Sequence, residues 1–337
     1  MNSRREFWVD YVKVFACILV VLGHFFQSMV KASILPENDI YTWFNTTIYY
    51  FHVPLFFICS GYLYQKYSKV DSWSSWKSNV YKKTVVLGIP YLVFSFATWL
   101  LKTVFANAVN DEIGGLADTL FLHPTSPYWY LYSLFFIFLV TPTVRNRVEM
   151  WILLGISMLL KLYSIIFLRG GTALVQIYAI SRICQNEIWF ALGVLIAVFE
   201  TEKMWKPVIG YTMGFIFIFI SVLFYRNENG WLAFGLSLMA CVAILLIFRR
   251  IQEVKTLSVL AKYTMPIFLM HTLFAASTRT LLMRCGIQSA VVHVVIGIII
   301  SFVGPVLAMR VLEMLKLDWL VYPRRLLKNW DGRKNTV

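Results

Sequence analysis

Charge is what this chain has least of. Only 14% of its 337 residues are Asp, Glu, Lys or Arg, against about 25% in ordinary soluble domains. Acidic residues are the scarcer sign, 17 against 31 basic, and histidine occurs five times. Cysteine is sparse as well: Cys17, Cys59, Cys184, Cys241 and Cys285 are far apart, odd in number and form no CxxC pair. That spacing argues against a disulfide framework and against a zinc site, so no metal is expected. The thiols are expected as small buried hydrophobes. A cleaved signal peptide is not expected either, because the first apolar stretch exceeds an h-region of about 7–15 residues and no small-residue cleavage site follows it.

What fills the chain instead is apolar sequence, 59% of residues, with a mean hydropathy of +0.68. Runs of bilayer-crossing length recur from end to end. The expected fold is all-α: a polytopic membrane helix bundle of about ten transmembrane helices, with both termini cytoplasmic. The spans are placed at 8–30, 43–64, 84–106, 128–144, 150–168, 187–199, 207–225, 230–248, 264–283 and 288–312. No internal repeat and no second domain is visible, so 1–337 is read as one transmembrane domain with a basic cytoplasmic tail at 318–337.

The net charge of +14 raises the question of nucleic acid. Its distribution answers differently. With the N-terminus inside, 22 of the 31 basic residues fall on the cytoplasmic side and five on the other, as the positive-inside rule requires. The excess is a topogenic and lipid-facing signal, and no nucleic-acid partner is expected. The inner loop 65–83 mixes five lysines with Trp73 and Trp76, which suits a segment at headgroup level. The acidic outer loop 107–127 is long enough only for a short cap.

Two stretches carry chemistry. Inside the first span Lys13 and His24 stand eleven residues apart, close to three helical turns, so they share one face at about 16 Å separation. Asp10 lies one turn before Lys13. Ionisable groups inside a spanning helix are costly and mark a bundle interior or a polar path. The column Asp10–Lys13–His24 therefore reads as a reaction or transport route. The second stretch is FHVPLFFICSGYL at 51–63. His52 sits at about the depth of His24, with hydrogen bonding to a neighbouring helix as its structural alternative. Pro54 is expected to bend the helix, and Ser60 and Gly61 let another backbone approach.

These residues resemble the type 3 acyltransferase family of bacterial integral-membrane acyltransferases. The resemblance runs through Asp10-x-x-Lys13-x-x-Ala16 with His24, FHVPLFFICSGYL, Pro90-Tyr91, Trp129-Tyr130-Leu131 with Thr141-Pro142, Phe190-Ala191-Leu192-Gly193, and the Tyr263-to-His271 run YTMPIFLMH, in the family's order. Lys13 stands where the family places an arginine, keeping the positive charge but losing the bidentate fork. Lys82 and Lys83 replace the family's paired arginines ahead of Pro90-Tyr91.

The resemblance implies transfer of an acyl group, most often acetyl from acetyl-CoA, to a hydroxyl of a cell-envelope glycan or glycolipid precursor in the bacterial cytoplasmic membrane. A histidine with an unperturbed pKa near about 6.5 suits removal of the hydroxyl proton. His24 is assigned as that base, with His52 as the second catalytic candidate. Asp10 is assigned to pairing with Lys13. Lys13, Lys82 and Lys83 are assigned to the phosphates of the acyl-CoA. Trp129 and Tyr130 are assigned to the acceptor, with an interfacial aromatic belt as their alternative. His271, placed in the inner half of the ninth span, is read as a structural hydrogen-bonder. His123 and His293 are left outside the site, and Lys161 and Arg279 are read as snorkelling cations. Membrane lipids are expected partners, and the oligomeric state is left open between monomer and homo-oligomer. Two other classes stay in view: a transporter or flippase for a polar envelope precursor, with His24, His52 and Lys13 lining its route, and a membrane sensor or assembly scaffold.

Overall fold

The computed structural model describes residues 6–68, 70–105, 114–167, 177–199, 206–324 and 326–327. Parts of the outer loop (106–113) and of the basic tail (325 and 328–337) lie outside them. Among the described residues every long regular element is helical: α1 Phe7–Lys31, α2 Asp39–Tyr49, α3 His52–Tyr67, α4 Trp73–Lys83, α5 Ile89–Val104, α6 Trp129–Val140, α7 Arg147–Phe167, α8 Tyr178–Val198, α9 Pro207–Phe224, α10 Gly230–Phe248, α11 Lys255–Arg284 and α12 Ala290–Met314. Eight helical runs among them are long and apolar enough to cross a bilayer: α1, the continuous α4–α5 rod, and α7 through α12. The protein is a polytopic helical membrane bundle.

The two remaining apolar stretches depart from the expected spans for local reasons. The stretch 43–64 is broken rather than bent. α2 starts at a cap in which Asn38 accepts the Tyr41 N–H at 2.9 Å, and it stops at Tyr49. Pro54 has no N–H for the Tyr50 carbonyl four residues back, and its ring crowds that carbonyl. A new helix, α3, begins at His52 with the proline in its first turn, where the missing donor costs nothing. The stretch 128–144 holds only the twelve residues of α6. Thr141 is extended (φ −99°, ψ 112°), the conformation favoured for a residue that precedes proline. The loop expected at 65–83 is largely helical. Ser72 forms a capping box with Ser75 and starts α4, which runs on through a widened turn at Thr84–Gly88 into α5. That turn sits just before Pro90, which cannot donate to Val86.

α3 is the central element. Leu55, Phe57, Ile58, Cys59 and Tyr62 on it are essentially inaccessible, and it packs most extensively against α8. The contact is backbone on backbone. A Cβ at Gly61 would lie 2.0 Å from the Phe190 carbonyl oxygen, and one at Gly193 would lie 2.0 Å from that of Ile58. Glycine is required at both positions for this approach. Of the five cysteines, four are buried in the bundle and Cys285 is exposed.

This packing makes a sharp prediction. Gly193→Ala forces α3 and α8 apart and destabilises the protein by at least the ~1–3 kcal/mol of ordinary overpacking. Thermal unfolding in detergent should show a clear loss. Gly155→Ala, with nothing within 4 Å of its added Cβ, should not.

Candidate active site

The site is built where α1 lies parallel to α11. Tyr11 Oη accepts the Val254 N–H at 2.7 Å and sits 3.2 Å from Ser258 Oγ. One and a half turns on, Cys17 Sγ points to the Thr264 carbonyl at 3.6 Å. Further on, the His24 and His271 rings meet with centroids 5.4 Å apart and planes tilted 35°. Each of these three pairs is separated by 247 positions, so the two helices run in constant register and bring the imidazoles to one level. Near the far end of α1, Arg279 donates to the Ser28 carbonyl at 3.1 Å and to its Oγ at 2.5 Å.

That register changes the reading of two residues. His271 was expected in the inner half of a span beginning at 264. α11 in fact starts at Lys255, and its polar first turns carry His271 to mid-helix, level with His24. Arg279 does not snorkel outward; it is buried and turned onto α1.

His52 belongs to the same cluster, since it and His271 are both within electrostatic reach of the His24 ring. The break before α3 positions it as the first residue of that helix. Its Nδ1 donates to the Ile48 carbonyl at 2.5 Å, and the Tyr49 ring stands edge-on at 4.6 Å. His24 itself is half-buried, and its Nε2 lies 3.4 Å from Oγ of Ser126. Ser126 is exposed and belongs to the segment leading into α6, so the cap expected over this end of the bundle supplies a hydroxyl beside the imidazole. Tyr128 clamps that segment down, donating to the Leu269 carbonyl and pairing with Thr98 Oγ1, both at 2.9 Å.

A basic group forms towards the other end of α1. Lys13 is within electrostatic reach of Asp10 and Arg324, and Lys83 is within reach of Lys13 and Arg324. Lys83 points inward, with Nζ 3.5 Å from the Phe138 ring centroid and 5.8 Å from that of Tyr64. Lys82 is exposed. The two neighbouring lysines therefore differ in environment: one enters the bundle and the other faces out. Arg324 was not anticipated. The chain after α12 folds back, burying Val321 and donating the Tyr322 hydroxyl to the Lys262 carbonyl at 2.6 Å. Nothing in the local sequence announces that return.

Tyr130 belongs to the core, whereas Trp129 is half-buried. Tyr130 is buried, shares a 3.1 Å hydrogen bond with Ser60, and packs on Phe57 and Phe268. Trp129 lies under the Arg182 guanidinium at 4.5 Å. A cavity of about 940 Å³ lined by Trp73, Trp76, Thr141, Arg145, Ile156 and Glu187 includes none of the residues expected to act.

The arrangement defines a class of protein: an integral membrane bundle in which imidazoles from α1, α3 and α11 gather around His24, with a cationic group further along the same face of α1. A family model described as an acyltransferase domain matches residues 6–310, and the chain belongs to that acyltransferase 3 family. Similar proteins include the nodulation protein NolL of Mesorhizobium japonicum, 30% identical over 160 residues, and that of Sinorhizobium fredii, 29% identical over 165 residues. The matched stretches cover 45% and 48% of this chain and 40% and 43% of those relatives, so the chain spans less than half of their length. No solved structure matches.

Tyr11 anchors the register on which the imidazole pairing depends. Tyr11→Phe removes the acceptor of the Val254 N–H and costs about 1 kcal/mol. A drop in melting temperature, together with slower turnover in the assay below, is the expected outcome.

Proposed function

We propose that this protein is a membrane O-acyltransferase that moves an acetyl or other short acyl group from acyl-CoA to a hydroxyl of a cell-envelope glycan or glycolipid precursor. The observation that carries the reading is the single face of α1. It bears a cationic group at Lys13 and an accessible imidazole about 16 Å further on. Family membership and the basic asymmetry of the loops agree with it. The donor enters from the cytoplasmic side of a bacterial cytoplasmic membrane, and its phosphates meet Lys13, Lys83 and Arg324. Lys82 contributes only to the surrounding field. The thioester arm lies along α1 towards His24, and the acceptor arrives past Ser126.

His24 is the general base. It removes the proton as the alcohol oxygen attacks the thioester carbonyl. The carbon–sulfur bond then breaks, the ester leaves, and the thiolate of CoA takes the proton. His52, held by its Nδ1–H to Ile48, borders the same space and orients the reacting groups. Trp129 forms part of the acceptor wall, and Tyr130 supports it from the core. Asp10 offsets the charge of Lys13 in a low-dielectric setting.

Two measurements test this. Purified protein should release free thiol from acetyl-CoA in the presence of a membrane glycan fraction, and His24→Gln should lower that rate by at least about 10³-fold, a loss in the upper part of the range expected for a general base. Turnover at the wild-type rate in that variant removes His24 from the reaction. Lys13→Met and Arg324→Met should each raise the KM for acetyl-CoA about tenfold, one charge-assisted contact of about 1.4 kcal/mol, while leaving the acceptor dependence unchanged. An unaltered KM in both removes the donor assignment.

A further inference from the structure

His271 has an electronic state that its surroundings dictate. Its Nδ1 lies 3.0 Å from the carbonyl oxygens of Ile267 and Phe268. Carbonyls only accept, so Nδ1 carries the hydrogen. In a neutral imidazole, Nε2 is then left with a bare lone pair. That nitrogen is sealed from solvent and meets no hydrogen-bond partner, in a residue 1% exposed. A buried acceptor left without a donor costs about 1–3 kcal/mol, and such exceptions call for a reason. The neighbour that can supply the missing donor is the His24 ring, 5.4 Å away between centroids.

From this we propose that His271 is a positioning residue for His24, its Nε2 accepting a hydrogen bond from His24 whenever His24 is protonated. The inference rests on the acyl-transfer reading for its place in the reaction. When the acceptor hydroxyl gives its proton to His24, the ring becomes an imidazolium with a hydrogen on both nitrogens. An isolated cation in the bundle interior is expensive. The His271 lone pair meets one of those N–H groups and spreads the charge across two rings. The other N–H holds the proton that the departing thiolate takes when the carbon–sulfur bond breaks, so no proton is gained or lost over the cycle. The remaining groups around the pair are His52 on α3 and Ser126 beyond His24, with Arg279 two turns along α11 and Lys13 and Asp10 three or more turns back on α1. Of these, Ser126 touches the His24 ring and His52 is within electrostatic reach of it, and neither is a permanent charge.

The test uses the full chain, with ¹⁵N-labelled histidine, in lipid nanodiscs. A ¹⁵N–¹⁵N coupling across an N–H···N bond should be present between His24 and His271 and grow as the pH is lowered through the protonation of His24, together with an Nδ1–H tautomer for His271. Protonation of His24 without that coupling overturns the inference. A turnover arm separates it from the acyl-transfer reading. His271→Asn keeps an amide donor for the Ile267 and Phe268 carbonyls but has no acceptor atom at the position of Nε2, its one carbonyl oxygen branching from Cγ. It should lower kcat about 30-fold while leaving the KM for acetyl-CoA within twofold. An unchanged kcat in His271→Asn, with His24→Gln inactive, defeats this inference alone. Full activity in His24→Gln defeats the reading on which it rests.

Discussion

The parallel seating of α1 on α11 is the constraint from which the site follows. A constant offset of 247 positions joins Tyr11 to Ser258, Cys17 to Thr264 and His24 to His271. A slip of one helical turn would move His271 about 5 Å along the axis and leave two lone imidazoles at different depths. The polar anchors are placed to prevent that slip, Tyr11 at one end and Arg279 on Ser28 at the other. In a lipid-facing bundle, where apolar contact alone discriminates poorly between registers, such hydrogen bonds and close backbone contacts fix one alignment.

The second constraint is the break that creates α3. An unbroken helix from 39 to 67 would point His52 by helical phase alone. With the chain broken at Tyr50 and Phe51, His52 becomes the first residue of a new helix, and its Nδ1 is bonded to the last turn of the old one. α3 then drives into the centre of the bundle, where Gly61 and Gly193 permit contact with α8. Support of this kind holds the imidazole cluster without loops. The segment leading into α6 brings Ser126 to the His24 ring.

Legibility in the sequence varied with how local the physics is. Class and helical character followed from hydropathy, and the shared face of Lys13 and His24 followed from helical period. Pro54 was visible, but its position relative to Tyr50 decides between a bend and a break, and that depends on what the preceding segment can cap. The loop at 65–83 concealed α4 because its lysines and serines suppress any apolar periodicity, although the Ser72–Ser75 pair is a capping signal in plain view. The depth of His271 was misjudged for a related reason: α11 begins in polar sequence at Lys255, so counting from the first apolar residue shortens the helix. Tyr130 read as an acceptor contact or an interfacial aromatic because it stands at a span end, and only packing against Phe57 and Phe268 reveals it as core. Arg324 depends on the tail folding back over sixty residues to Lys262, a contact with no local signature.

The account stands or falls on acyl chemistry at His24. Mass spectrometry of envelope glycans, from cells carrying the wild-type protein and from cells carrying His24→Gln at equal membrane abundance, addresses it most directly. An acyl group present on the glycans of the first and missing from those of the second is the predicted result. Identical acylation in both would contradict the mechanism.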